Sequence, residues 1–335
     1  MSGKVRSKVF RAAAFAMPMV GALCWSSGTI NAAEATAELG AGGLQIARND
    51  IIELLSQDVF ISANEVRVTY RLRNKSDKAA SFLVSFPLPA LDGGDAEDLA
   101  VALPRADSEN FLDFQATADG KAVVPQIERR VTALGVVRAG DLEAKALPLN
   151  PLAEGLSEKI AALSRDDQIA LNRQGLLVPD GSTMRPGWRL ETTLYWQQAF
   201  APGKELVIEH KYRPVAGTGL FGTEDLRQGF YKTRYCTDAD FSRVAGGRLA
   251  AARSSDMPYL DETRVSFALN RSSGWTNAIR SFRLVVDKGD NDAVVSFCGS
   301  GIRRIAANQF EFTARNFTPD REINVLIVKP RKTAK

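Results

Sequence analysis

The stretch Glu65-Val66-Arg67-Val68-Thr69-Tyr70-Arg71-Leu72-Arg73 decides the fold class. Val66, Val68, Tyr70 and Leu72 fall on one face, and Arg67, Thr69, Arg71 and Arg73 on the other. A period of two marks a half-buried antiparallel strand, because successive side chains of a strand point to opposite faces. The arginine column reads as the solvated side of that strand. Asn74-Lys75-Ser76-Asp77-Lys78 then forms a polar turn, and Phe82, Val84 and Phe86 alternate again. Pro87 and Pro89 lack the N–H that a ladder needs, so the second strand ends there.

The same grammar continues downstream. Residues 111–116 and 123–131 read as strands flanking Asp119-Gly120, a two-residue hairpin turn. Residues 150–176 break the pattern. Leu152, Leu156, Ile160 and Leu163 make an apolar stripe at helical spacing. Ser164-Arg165-Asp166-Asp167 resembles a capping box for a second helix, and Gly175 sits where that helix would stop. From Trp188 strands resume, with Trp188, Leu190, Thr192, Leu194 and Trp196 on one face. Pro202-Gly203 turns the chain, and Leu206, Ile208, His210 and Tyr212 alternate after it. Further strands are expected at 264–270, 280–287, 293–298, 309–314 and 322–328. Many short strands without βα alternation predict a mainly β protein, with antiparallel β-sandwich-like domains and an inserted short α-helical hairpin. The expected division is a leader over 1–33, an N-terminal β-sandwich-like domain over 34–145, the helical hairpin over 146–180 and a C-terminal β-rich domain over 181–330.

The leader is read from its order of residue types. Lys4, Arg6, Lys8 and Arg11 precede the apolar run from Ala12 to Trp25, and small residues surround Ala32, Ala33 and Ala35. Basic, hydrophobic, then small is the pattern of a cleavable signal peptide. The apolar run falls short of the roughly 20 residues of a spanning helix, so no transmembrane segment is expected in the mature chain. Cleavage near Ala33 predicts a periplasmic or secreted protein. The full chain has Lys+Arg 43 against Asp+Glu 39, and the leader holds four basic residues and no acidic ones, so cleavage leaves 39 against 39. A neutral mature chain has no global field to hold nucleic acid. Cys24 leaves with the leader. Its preceding Gly21-Ala22-Leu23 lacks the small residue that lipoprotein processing requires just before the cysteine. The remaining pair, Cys236 and Cys298, is expected to form a disulfide in an oxidising compartment.

Motifs that carry chemistry are scarce. His210 is the one histidine, which excludes His–His metal sites, and its alternation with Ile208 and Tyr212 places it on a sheet face. Gly217, Gly219 and Gly222 spell GxGxxG after a strand, but too little helix follows for the βαβ unit that a dinucleotide needs. Asp92, Asp95, Glu97 and Asp98 crowd one loop without EF-hand spacing. The aromatics Trp188, Trp196, Trp275, Tyr231 and Tyr235 suit core packing, with sugar stacking as the functional alternative. Asn-x-Ser/Thr triplets begin at Asn74, Asn270 and Asn316. No catalytic, cofactor or metal residue is assigned.

Two stretches carry a family likeness: Thr36-Ala37-Glu38-Leu39-Gly40-Ala41-Gly42-Gly43-Leu44, and Asn316-Phe317-Thr318-Pro319-Asp320-Arg321-Glu322-Ile323-Asn324-Val325-Leu326. With Tyr195-Trp196 and His210-Lys211-Tyr212-Arg213-Pro214 between them, the chain resembles the DUF4424 family of exported bacterial proteins. That resemblance implies compartment and architecture and supplies no active site. It also makes glycosylation at the Asn triplets improbable. Val66 to Arg73, Asn74-Lys75-Ser76-Asp77, Phe86-Pro87-Leu88-Pro89 and Asp119-Gly120-Lys121 resemble, more weakly, the VIT domain of inter-alpha-trypsin-inhibitor heavy chains. That second resemblance favours an interaction module over an enzyme. The combined expectation is an exported, non-catalytic β-rich protein that binds a cell-envelope protein or glycan. The alternative is an envelope glycan or peptide hydrolase using carboxylates.

Overall fold

The structure, a computed structural model, describes residues 38–47, 49–94, 101–252, 258–269 and 278–331. The expected leader over 1–33, together with Asp95, Glu97, Asp98, Asn270 and Trp275, lies outside the described residues. The strand that decides the class runs from Val66 to Asn74, with Val66, Val68, Tyr70 and Leu72 buried and the intervening positions turned outward. It is the fifth strand of an eight-stranded sheet, sheet one. The order there is Arg303–Arg304, Gln309–Phe317, Ile279–Asp287, Ile52–Ile61, Val66–Asn74, Glu205–Tyr212, Gln115–Ala118, Lys121–Val123. Strand content is 46% against 16% helix, and no sheet closes into a barrel, so the chain is mainly β.

Sheet two holds Val136–Val137, Gln126–Ala133, Arg189–Phe200, Ala80–Pro87 and Gln45–Ile46 in that order, with Leu91–Asp92 also on Arg189–Phe200. Sheet three runs Ala41–Gly42, Leu260–Ala268, Ile323–Pro330, Val294–Phe297, with Gly217–Phe221 also on Leu260–Ala268. In sheet one Ile279–Asp287 pairs in parallel with Ile52–Ile61, so strands from both ends of the chain share one sheet. Strands from the blocks read at 34–145 and 181–330 thus pair with one another in sheets one, two and three. Asp119 and Gly120, both at positive φ, turn the expected hairpin. Phe111 and Leu112 are buried in a loop before it, where a strand was expected.

The inserted hairpin is present as helices Leu156–Ala161 and Arg165–Arg173. The Ser164 hydroxyl accepts from Asp167 N at 3.1 Å, the cap expected there, and Gly175 ends the second helix at φ 74°. The Trp188 indole donates to Leu149 O at 2.7 Å and ties this insertion to sheet two. Two further helices, Gly229–Tyr235 and Ala239–Ala252, cover sheet three. The sequence pattern did not announce them.

Sheets one and two pack through aromatic rings. His210 and Tyr212 from sheet one meet Phe86 from sheet two, Tyr70 meets His210, and Phe114 stacks on Phe86 at 4.3 Å. The segment from Leu39 to Ile46 then joins sheets one, two and three. Leu39 bridges to Val215, Ala41–Gly42 pairs in parallel with Phe267–Ala268, and Gln45–Ile46 pairs with Val84–Ser85. Leu44 N donates to the buried Tyr70 hydroxyl at 3.0 Å. Gly43 permits this approach: a Cβ there would lie 2.6 Å from that hydroxyl. Gly43→Ala is therefore expected to cost about 2 kcal/mol in urea unfolding, the scale of a broken buried hydrogen bond. Gly247→Ala, whose Cβ would meet nothing within 4 Å inside helix Ala239–Ala252, is expected to stabilise by about 0.5–1 kcal/mol.

His210 faces this aromatic layer at 2% exposure, and neither ring nitrogen has a hydrogen-bond partner. Burial lowers its pKa from 6.5 to about 3. The unfolded chain then takes up a proton near pH 6.5 that the folded chain refuses until about pH 3, so stability falls as pH drops through that window. The slope is roughly 1.4 kcal/mol per pH unit. His210→Phe is expected to remove that part of the acid sensitivity. Parallel urea titrations of both proteins at neutral and mildly acidic pH check it, and equal losses would refute it.

Candidate functional site

His210, the one histidine in the sequence, is sealed in the core and takes no part in surface chemistry. Among the described residues no group of three His, Cys, Asp or Glu is placed to hold a metal ion. No helix of the described residues is long and apolar enough to cross a membrane.

The GxGxxG glycines serve packing. A Cβ on Gly217 would lie 2.9 Å from Glu38 N and 3.0 Å from the Arg264 guanidinium. The space they leave admits a polar cluster under helix Gly229–Tyr235. Arg234 Nη2 pairs with Glu38 Oε1 at 2.6 Å and donates to Ser266 Oγ at 3.2 Å, and Ser266 donates to Asn324 Oδ1 at 2.6 Å. Glu38 and Asn324 belong to the two stretches that carry the family likeness, and here Arg234 and Ser266 link them. Tyr231 donates to Glu262 Oε2 at 2.8 Å, and Arg264 Nε lies 3.3 Å from Glu262 Oε1. Burial raises the Glu262 pKa, while the Tyr231 hydrogen bond and Arg264 oppose the rise. Tyr231 and Tyr235 are thus engaged in holding the helix to its sheet, as are Trp188 and Trp196 in the core of sheet two.

The arginine column is a ladder of surface ion pairs. Arg71 pairs with Glu205 at 3.1 Å and Arg73 with Glu53 at 3.0 Å, while Arg280 closes on Glu53 from the other side. Asn74, first of the Asn-x-Ser triplets, is fully buried. Its amide donates to Lys78 O and Phe200 O and its Oδ1 accepts from Ser76, so it is a turn anchor.

Sequence reasoning missed a cleft of about 370 Å³ between sheet two and the loop over 106–111, with the insertion at its rim. Phe111, Leu190 and Ala153 give it apolar walls, and Glu109, Arg129 and Glu154 line it with charge. Arg129 pairs opposite the buried Thr192, on the same strand face as the buried Val131, and it reaches the Glu109 carboxylate. A charged side chain at an inward parity is the signal that could have found the site.

The disulfide Cys236–Cys298 is formed, with Cα atoms 5.1 Å apart. It joins the end of helix Gly229–Tyr235 to the residue after strand Val294–Phe297. Cys236 ends the helix in the left-handed conformation at φ 55°.

Among curated proteins none matches the chain. A Legionella pneumophila protein, provisionally described as nutrient binding, aligns over 88% of this chain and 72% of its own, with 13% identity and a TM-score of 0.47. An M1 zinc metallopeptidase of Deinococcus radiodurans aligns over 87% of this chain at 9% identity and a TM-score of 0.23, and the chain spans 43% of that enzyme's length. The family model for the domain of unknown function DUF4424 matches residues 32–326, and the chain belongs to that family.

Proposed function

We propose that the chain is exported, is cleaved near Ala33, and acts in the periplasm as a non-catalytic binding protein for a fragment of cell-envelope glycan. The basic, apolar, small order of the first residues and the disulfide support the compartment. The observation that carries the binding reading is the cleft. A space of about 370 Å³ with apolar walls and a few convergent charges suits a small ligand better than a protein face. Arg129 is the anchor, since a guanidinium presents several fixed donors to ring hydroxyls and carboxylates. A protein partner docking on the cleft rim is the competing form of this reading.

Calorimetric titration of the mature protein with soluble peptidoglycan fragments tests it. Saturable binding is expected, weakened about tenfold or more in Arg129→Ala, the scale of one lost charge-assisted hydrogen bond. Absence of binding to any fragment would overturn the glycan reading. Glu109 and Glu154 line the same cleft, so turnover of the fragments, abolished in Glu154→Gln, would establish the hydrolase instead.

A further inference from the structure

Sheet three ends at strand Val294–Phe297, which pairs with Ile323–Pro330 on one side. On its other side, among the described residues, no strand adds to it. A groove of about 650 Å³ lies there, lined by every residue from Ala293 to Phe297. Side chains of a strand alternate between faces, so consecutive residues reach one groove only when the backbone edge itself opens onto it. One wall is helix Ala239–Ala252, presenting Phe241 and Val244, and the opposite wall carries Ile302 and Phe310. Val244 and Ile302 are each 37% exposed, so the walls offer apolar contact on both sides of an open edge.

The charges around the groove are uneven. Asp238 caps helix Ala239–Ala252 by accepting from Phe241 N at 2.7 Å, and Asp240 pairs with Arg243 at 3.0 Å. Arg248, Lys288 and Arg304 gather on the groove lining. Arg248 pairs with Asp292, whereas Lys288 and Arg304 donate to backbone carbonyls that bring no negative charge. The Lys288 pKa is lowered, first by burial and then by Arg304 and Arg248, with Asp290 and Asp292 opposing.

We infer that this groove takes an extended peptide segment of an envelope protein, added as a strand to the Val294–Phe297 edge, with apolar side chains at alternate positions and an acidic group beside Lys288 and Arg304. The edge strand has four residues and spans about 13 Å at roughly 3.3 Å per residue, which suits a short segment. This surface lies on different residues from the glycan cleft, and its occupant is a protein. The disulfide fixes its floor, because Cys236 lines the groove and Cys298 directly follows the edge strand.

The test is fluorescence anisotropy with a labelled peptide of alternating valine and threonine ending in two glutamates, and a control ending in two lysines. The acidic peptide is expected to bind saturably and the lysine control at least tenfold more weakly. Ile302→Asp, on the exposed wall, is expected to weaken the acidic peptide about tenfold. Hydrogen exchange should slow at the amides of residues 294–297 in the complex. Reduction of the disulfide, or Cys236→Ser with Cys298→Ser, is expected to weaken binding and to cost stability in urea. Arg129→Ala should leave peptide binding unchanged, which separates failure of this inference from failure of the glycan reading. Absence of saturable binding by the acidic peptide, or slowed exchange outside residues 294–297, would overturn the inference. Equal affinity of the two peptides would overturn the charge assignment with it.

Discussion

The backbone N–H of Leu44 ends on the hydroxyl of a buried tyrosine, and the placement of three sheets depends on that contact. Tyr70 stands on the inner face of sheet one, and burial pushes its phenol well above the ordinary range, so it stays protonated at any physiological pH. Such a group must find a partner in the interior or carry a desolvation cost. It finds one in a short segment whose flanking strands belong to the other two sheets. The glycines Gly40 and Gly43 follow from the same constraint, because Cβ atoms there would press on Ser266 and on Tyr70. One likeness-bearing stretch of the sequence is thereby accounted for as a clasp.

The interior polar groups divide by their effect. Glu53 and Glu311 are nearly buried on the outer face of sheet one, and each is gripped by two arginines: Arg73 and Arg280 on the first, Arg283 and Arg303 on the second. Hydrogen bonds from Arg283 and Arg303 hold the Glu311 carboxyl below the usual range. The exposed pairs around them contribute little energy each, yet together they cover a broad flat sheet with both signs of charge. That cover explains why the arginine column gives no anion site. His210 is the opposite case, a polar ring given no partner at all.

How much of this was legible depends on whether a signal is local. Val66 to Leu72 announced their strand because one face is core and the other water, and Ser164 announced a helix because its cap lies within three residues. The pairing of Ile279–Asp287 with Ile52–Ile61 left no local trace, since a period of two names the face and not the neighbour. Helix Ala239–Ala252 was hidden by Gly246-Gly247, poor helix formers at its centre. Phe241, Ala245 and Leu249, spaced by four, bury one stripe on sheet three, and tertiary packing outweighs the propensity. Arg129 was hidden by its own strand, whose outward residues are charged as well.

The groove and the cleft share a construction that separates them from the rest of the surface. Each lies where a sheet meets a segment that is not part of it: residues 148–154 of the insertion at the cleft, helix Ala239–Ala252 at the groove. A sheet face alone presents a regular array that arginine–glutamate pairs neutralise. An edge leaves backbone groups that such pairing cannot reach, and in the cleft the Arg129–Glu109 pair lies among apolar walls. Those positions need a covering element to define their shape, and one strong link stands beside each: the Trp188 indole holds the insertion at the cleft, and the disulfide holds the end of helix Gly229–Tyr235 at the groove. The disulfide can close only where thiols are oxidised, so the floor of the groove is complete only in an oxidising compartment.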